Sequence, residues 1–136
     1  MQQVRTPLRP PRAHPAGLMA KFFRGLGDPT RVRVLQLLWD RELTVSELVG
    51  ETGVLQGRLS SHLACLRWCG FVAVRKEGRH VYYRLADQRV RRLLELAQEF
   101  LDQHCREVEM CRIIDGQTAP PPQGDGHRGR RGDGQR

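Results

Sequence analysis

The sequence predicts a mainly α-helical domain with one small β-hairpin, and three observations carry that prediction. Apolar residues recur at three- and four-residue spacing in five stretches between Leu18 and Val108, which places them on helix faces. One region breaks that rhythm. Phe71-Val72-Ala73-Val74 and His80-Val81-Tyr82-Tyr83-Arg84-Leu85 are rich in strand formers and flank Arg75-Lys76-Glu77-Gly78-Arg79, which reads as two strands and a turn. Finally, two of the helical stretches are joined by a short segment containing Gly53, the connection of a helix-turn-helix.

The elements follow in order. Leu18, Met19, Phe22, Phe23 and Leu26 define a first short helix over 17–26. Gly27-Asp28-Pro29 stops it and starts another, because Asp28 can accept from free amides at an N-cap and proline suits the first helical position. Val32, Leu35, Leu38 and Trp39, with Val34 and Leu37 alongside, give the second helix a broad apolar face over 29–40. Thr44-Val45-Ser46-Glu47 fits a capping box, so a third helix opens at Thr44 or Ser46 and ends near Gly50–Gly53. Leu59, Leu63 and Leu66, continued by Cys69 or Trp68, mark a fourth helix over 56–69, with Gly70 where a left-handed cap would stop it. The hairpin is then the wing of a winged helix-turn-helix, and its tip is basic.

From Asp87 to about Met110 a long helix carries Val90, Leu93, Leu94, Ala97, Phe100, Leu101 and Val108. That stripe exceeds what so small a domain can cover alone. The same helix of a second subunit would bury it about a two-fold axis, so the expected assembly is a homodimer through terminal helices.

Composition sets the bounds. Residues 1–16 hold four prolines and three arginines, and 116–136 are almost entirely Gly, Pro, Gln, Arg and Asp. Both read as disordered tails, the first basic, because neither can bury enough apolar surface to offset its ordering entropy. Residues 17–115 remain for one winged helix-turn-helix DNA-binding and dimerisation domain. The chain's net charge of +8 is unevenly placed. Over 17–54 it balances, and over 87–115 it is slightly acidic. Over 55–84, Arg58, Arg67, Arg75, Lys76, Arg79 and Arg84 face Glu77 alone. A basic stretch confined to the fourth helix and the hairpin is what contact with a phosphate backbone requires. No apolar run approaches the ~20 residues of a membrane span, and no signal peptide is apparent. Four cysteines without an export signal indicate a reducing, cytoplasmic setting, where metal or redox chemistry is favoured over structural disulfides.

Several segments together closely resemble the ArsR/SmtB family of winged-helix repressors. They are Leu26-Gly27-Asp28-Pro29-Thr30-Arg31-Val32-Arg33-Val34-Leu35, Leu43-Thr44-Val45-Ser46-Glu47-Leu48, Ser60-Ser61-His62-Leu63-Ala64-Cys65-Leu66 and Glu77-Gly78-Arg79-His80-Val81-Tyr82-Tyr83-Arg84-Leu85. The resemblance spans about residues 18–104. It implies a homodimer that represses its own operon from a pseudo-palindromic operator and leaves it when an inducer binds. Within the family, Cys65-Leu66-Arg67-Trp68-Cys69-Gly70 resembles a cadmium- and lead-sensing branch, which also draws a third cysteine from its C-terminal region. Cys105 and Cys111 both lie near that third position, and an ungapped count favours Cys111. The chain departs from its relatives at Leu55, where most carry Ser or Thr as N-cap of the recognition helix, and Gly57 weakens the first turn.

Cys65 and Cys69, four apart, share a helix face with Cβ atoms ~5–6 Å apart. Two thiolates so placed, with a third, form a set suited to soft ions: Cd(II), Pb(II) or Hg(II). A closed Zn(II) site would need a fourth ligand. Both cysteines could equally be small core residues. For DNA, Gln56, Arg58, Ser60, Ser61 and His62 occupy the front of the recognition helix, where base-edge contacts arise. Arg75, Lys76 and Arg79 on the wing would meet phosphates or a minor groove. Arg67 and Trp68 either pack or face solvent. Nothing suggests an oxyanion donor or substrate pocket, so no enzyme is expected. The expected function is a repressor released from double-stranded operator DNA by a soft metal. Its rivals are the same repressor answering arsenite, thiol oxidation or no metal, and a protein-interaction module.

Overall fold

A computed structural model describes residues 14–116. Residues 1–13 and 117–136, which hold most of the two expected tails, lie outside the described residues. Helix α1 (Ala16–Leu26) and helix α2 (Pro29–Leu37) meet at Gly27-Asp28. Asp28 is extended, its carboxylate accepts from the Arg31 amide at 3.1 Å, and Pro29 stands at the first helical position. The start is thus set by a side-chain cap and by a residue whose missing N–H removes no helical bond. α2 ends at Leu37, short of the expected residue 40. Trp39 leaves the helix, and the Arg91 guanidinium donates to its carbonyl oxygen at 2.5 Å and lies over its ring. The buried face accordingly comprises Val34, Leu35, Leu37 and Leu38, with Val32 half-buried.

Strand β1 (Leu43–Thr44) is a two-residue element that the sequence reading did not anticipate. Helix α3 (Val45–Thr52) starts directly after it. Thr44 Oγ1 accepts from the Glu47 amide at 3.2 Å while Glu47 Oε2 accepts from the Thr44 amide at 3.2 Å. This is the reciprocal capping box read from the sequence. Gly53 closes α3 in the left-handed conformation, φ 68°. Helix α4 (Gln56–Trp68) follows. Its end is fixed by Gly70 at φ 82°, with Gly70 N–H donating to the Arg67 carbonyl and Phe71 N–H to the Leu66 carbonyl. That paired closure is the Schellman motif, which needs a residue tolerant of positive φ.

Strands β2 (Val72–Glu77) and β3 (His80–Leu85) form the hairpin. They pair antiparallel from Val72 opposite Leu85 to Glu77 opposite His80. β1 adds to the other edge of β3, Leu43 opposite Tyr83, giving the order β1-β3-β2. The hairpin is tighter than expected. Arg75, Lys76 and Glu77 continue the strand, and the turn narrows to Gly78-Arg79 with Gly78 at φ 59°.

One buried cluster unites these elements: Val34, Leu35 and Leu37 from α2 with Leu38 at its C-cap, Leu48 from α3, Leu59, Leu63 and Leu66 from α4, then Phe71, Val72, Val90 and Leu94. Packed by three leucines at i, i+4 and i+7, α4 is held firmly on one side and bare on the other. The chain divides at Ala97 into two units, and helix α5 (Gln88–Glu109) runs through the division. Its first turns bury Val90 and Leu94. Beyond them Leu96, Phe100, Leu101 and Val108 are exposed, as are Leu18, Met19, Phe22 and Phe23 of α1. No helix of the described residues is long and apolar enough to cross a membrane.

Candidate nucleic-acid interface and thiol pair

The start of α4 lacks a side-chain cap. Leu55 has the extended conformation an N-cap needs, φ −57° and ψ 139°, but offers no acceptor, and it is 80% exposed. The first amides of α4 are therefore left to water. Leu55→Ser is expected to stabilise the fold by about 1 kcal/mol, since it gains a cap without uncovering the core. An increase in the urea midpoint at unchanged m-value is the check.

Opposite the leucines, α4 exposes Gln56, Gly57, Arg58, Ser60, Ser61 and Ala64. No Asp or Glu occurs between Gln56 and Trp68. Ser61 Oγ donates to the Gly57 carbonyl at 3.3 Å within its own helix. Gln56, Arg58, Ser60 and Ser61, expected to face DNA, are thus exposed on one helix.

His62 does not stand with them. Its side chain is 14% exposed, with Nδ1 3.2 Å from Arg31 Nη1 and 3.9 Å from Asp28 Oδ1. A guanidinium has donors only, so Nδ1 accepts and the ring proton sits on Nε2. Arg31 also donates from Nε to the Gly25 carbonyl at 2.6 Å and from Nη2 to the Arg24 carbonyl at 3.2 Å. One arginine thereby joins the C-terminal carbonyls of α1 to the side of α4. His62, expected among the base-contacting residues, is here a link between α4, Arg31 and Asp28. Arg31, which sequence reasoning missed, has no local signal, because its side-chain partners lie on two other elements, α1 and α4. Burial of Asp28 alone would raise its pKa. The bond from the Arg31 amide and the charge of the Arg31 guanidinium outweigh it and hold the carboxyl below its usual range.

On the wing, Arg75 is held by partners within the chain. Arg75 donates from Nε and Nη2 to Glu42 Oε2 at 3.0 and 2.8 Å, donates from Nη1 to Glu77 Oε2 at 2.6 Å, and lies over the Tyr82 ring. The Arg75 bond pulls the Glu42 carboxyl down, and the two carboxylates push Arg75 further up. Its charge is matched within the chain rather than offered to phosphate. Lys76 and Arg79 are exposed with no ion pair among the described residues. Arg79→Ala is therefore expected to lower the slope of log affinity for DNA against log salt by about one unit. Arg75→Gln should change that slope less, as binding isotherms at several salt concentrations would show.

Cys65 is half-buried and Cys69, at the helix C-cap, is exposed; all four cysteines are free thiols. Desolvation of its sulfur, then the neighbouring Cys65 thiol and a hydrogen bond to it, push the Cys69 thiol up. The two thiols are neighbours across one helical turn, and a metal binding there would displace protons. Cys105 is exposed on α5 and Cys111 half-buried just beyond it. Among the described residues no three His, Cys, Asp or Glu side chains gather about one point. The structure brings Cys65 and Cys69 together and does not assemble the three-thiolate set in a single chain.

This arrangement matches known proteins. The pattern of bacterial regulatory proteins of the arsR family covers residues 28–74. A probable mercury resistance operon repressor of Streptomyces lividans is 38% identical over 107 residues, covering 79% of this chain and 85% of that one. The transcriptional regulator CmtR of Mycobacterium tuberculosis is 42% identical over 92 residues, 64% of this chain and 78% of that one. The solution structure of a homodimeric winged helix-turn-helix DNA-binding domain from Mycobacterium bovis superposes with a TM-score of 0.61 at 32% identity, covering 67% of this chain and 84% of that one.

Proposed function

This chain belongs to the arsR family of bacterial regulatory proteins, and from that premise we propose that it is a repressor which leaves its operator when a soft metal ion binds Cys65 and Cys69. It is a transcription regulator with a winged helix-turn-helix and not an enzyme. It acts in the cytoplasm as a homodimer, joined through α1 and α5. Gln56, Arg58, Ser60 and Ser61 meet base edges, and Lys76 and Arg79 meet phosphates. The observation that carries the reading is the thiol pair on the last turn of α4. A ligand held there acts directly on the helix that reads DNA.

Cys111 or Cys105 supplies the third thiolate. Three thiolates suit a large soft ion, so Cd(II) and Pb(II) come first, with Hg(II) next and Zn(II) requiring a fourth donor. A relative named for mercury resistance supports a soft ion as the inducer. Apo dimers hold two α4 helices at the spacing of successive major grooves. Metal ties the end of α4 to the C-terminal segment, changes that spacing or tilt, and lowers operator affinity. Absorbance titration of the reduced protein with Cd(II) tests the ligand set. The sulfur-to-metal charge-transfer band should saturate near one ion per chain, shrink in Cys65→Ser and Cys69→Ser, and shrink in only one of Cys105→Ser and Cys111→Ser. A band indifferent to Cys65 and Cys69 would remove the sensor from the account.

A further inference from the structure

We propose that Trp68 is an operator-contacting residue, seated against the wall of the major groove that α4 enters; this rests on the DNA-binding reading above. Positions 57, 61, 64 and 68 fall at i, i+4, i+7 and i+11 of one helix and so form one stripe. It runs opposite Leu59, Leu63 and Leu66 and carries Gly57, Ser61, Ala64 and then Trp68. Trp68 is 92% exposed. The chain's other tryptophan, Trp39, is half-buried against Arg91. Leaving a whole indole in water forgoes the burial that usually accounts for tryptophan's presence, so the surface is one that something covers.

Charge and shape say what covers it. Arg58 and Arg67 lie on the same helix, which has no acidic side chain, so the occupant is a polyanion rather than an acid-seeking partner. Gly57, Ser61 and Ala64 are small, and a Cβ added at Gly57 would meet nothing within 4 Å, so the helix can approach base edges closely along that stripe. Trp68 lies seven residues past Ser61, about 10 Å along the axis. The major groove is about 12 Å wide. With Ser61 among the bases, the indole reaches the sugar-phosphate wall. There its ring packs on deoxyribose or a thymine methyl, and its Nε1–H can donate to a phosphate oxygen.

The test uses the full-length protein and a duplex of its own promoter. Trp39→Phe leaves Trp68 as the only tryptophan, and acrylamide quenching reads its exposure. Should Trp39→Phe fail to fold, the difference between the parent and Trp68→Phe gives the same signal. Trp68 is expected to be strongly quenched in the free protein and shielded in the operator complex. Trp68→Ala should bind the operator about tenfold more weakly, with unchanged circular dichroism and unchanged salt slope, because the contact is not an ion pair. Equal quenching with and without operator, together with parental affinity in Trp68→Ala, would overturn the proposal. So would shielding in the free protein or with Cd(II) alone, which would show the indole covered by protein. If Arg58→Ala loses binding while Trp68→Ala keeps it, only the Trp68 contact falls. If the folded parent ignores its promoter, the DNA-binding reading falls with it.

Discussion

Cys65→Ser is expected to bind the operator as tightly as the parent and to remain bound when Cd(II) is added. The substitution replaces sulfur by a similar-sized hydroxyl on a half-buried position, away from the stripe of Gly57, Ser61 and Ala64, so DNA contacts persist. The hydroxyl, however, stays protonated and is a hard donor, and a soft ion loses one of its three thiolates. Useful regulation requires a coupling of about 1–3 kcal/mol between metal and operator, a 5- to 150-fold change in affinity. That whole factor should vanish in the variant. Anisotropy titrations with and without metal measure it, and parental release in Cys65→Ser would show that the inducer acts elsewhere.

The second large effect concerns assembly. Phe23 on α1 is 55% exposed and Phe100 on α5 is 59% exposed in the single chain. Neither belongs to the core cluster, so Phe23→Asp and Phe100→Asp should leave the fold intact. Each places a charge where a second copy must bury apolar surface. Both should yield monomers by sedimentation, with parental circular dichroism. Operator affinity should fall about a hundredfold or more, because the second half-site loses the advantage of being bound by a tethered partner. A charged variant that remains a dimer would place the interface on other surfaces.

The features legible in the sequence are the local ones. Asp28-Pro29, Thr44 with Glu47, and Gly70 each act within one helical turn, and each does what its residue type implies. The leucine spacing of α4 likewise gave its buried face. Features needing partners from distant elements were not legible. Strand β1 has two residues, too few for any period, and exists because β3 offers it an edge. Arg75 reads as a free wing cation until Glu42, thirty-three positions away, is seen to hold it. His62 reads as a groove residue until Arg31 turns it inward. The thiol pair was legible because i and i+4 is a local relation, whereas the choice between Cys105 and Cys111 depends on assembly. The sequence leaves Trp68 open between packing and solvent, and α4 places it opposite the leucines, where it is exposed.

The central claim is that metal at the thiol pair releases DNA from α4. It is tested most directly by anisotropy of a labelled fragment of the chain's own promoter, bound by the reduced protein and titrated with Cd(II) and with Pb(II). The account predicts release that is complete near one ion per chain and absent with Mg(II), which prefers oxygen ligands. Tight binding that persists unchanged through both titrations would contradict it, leaving a repressor without a metal switch.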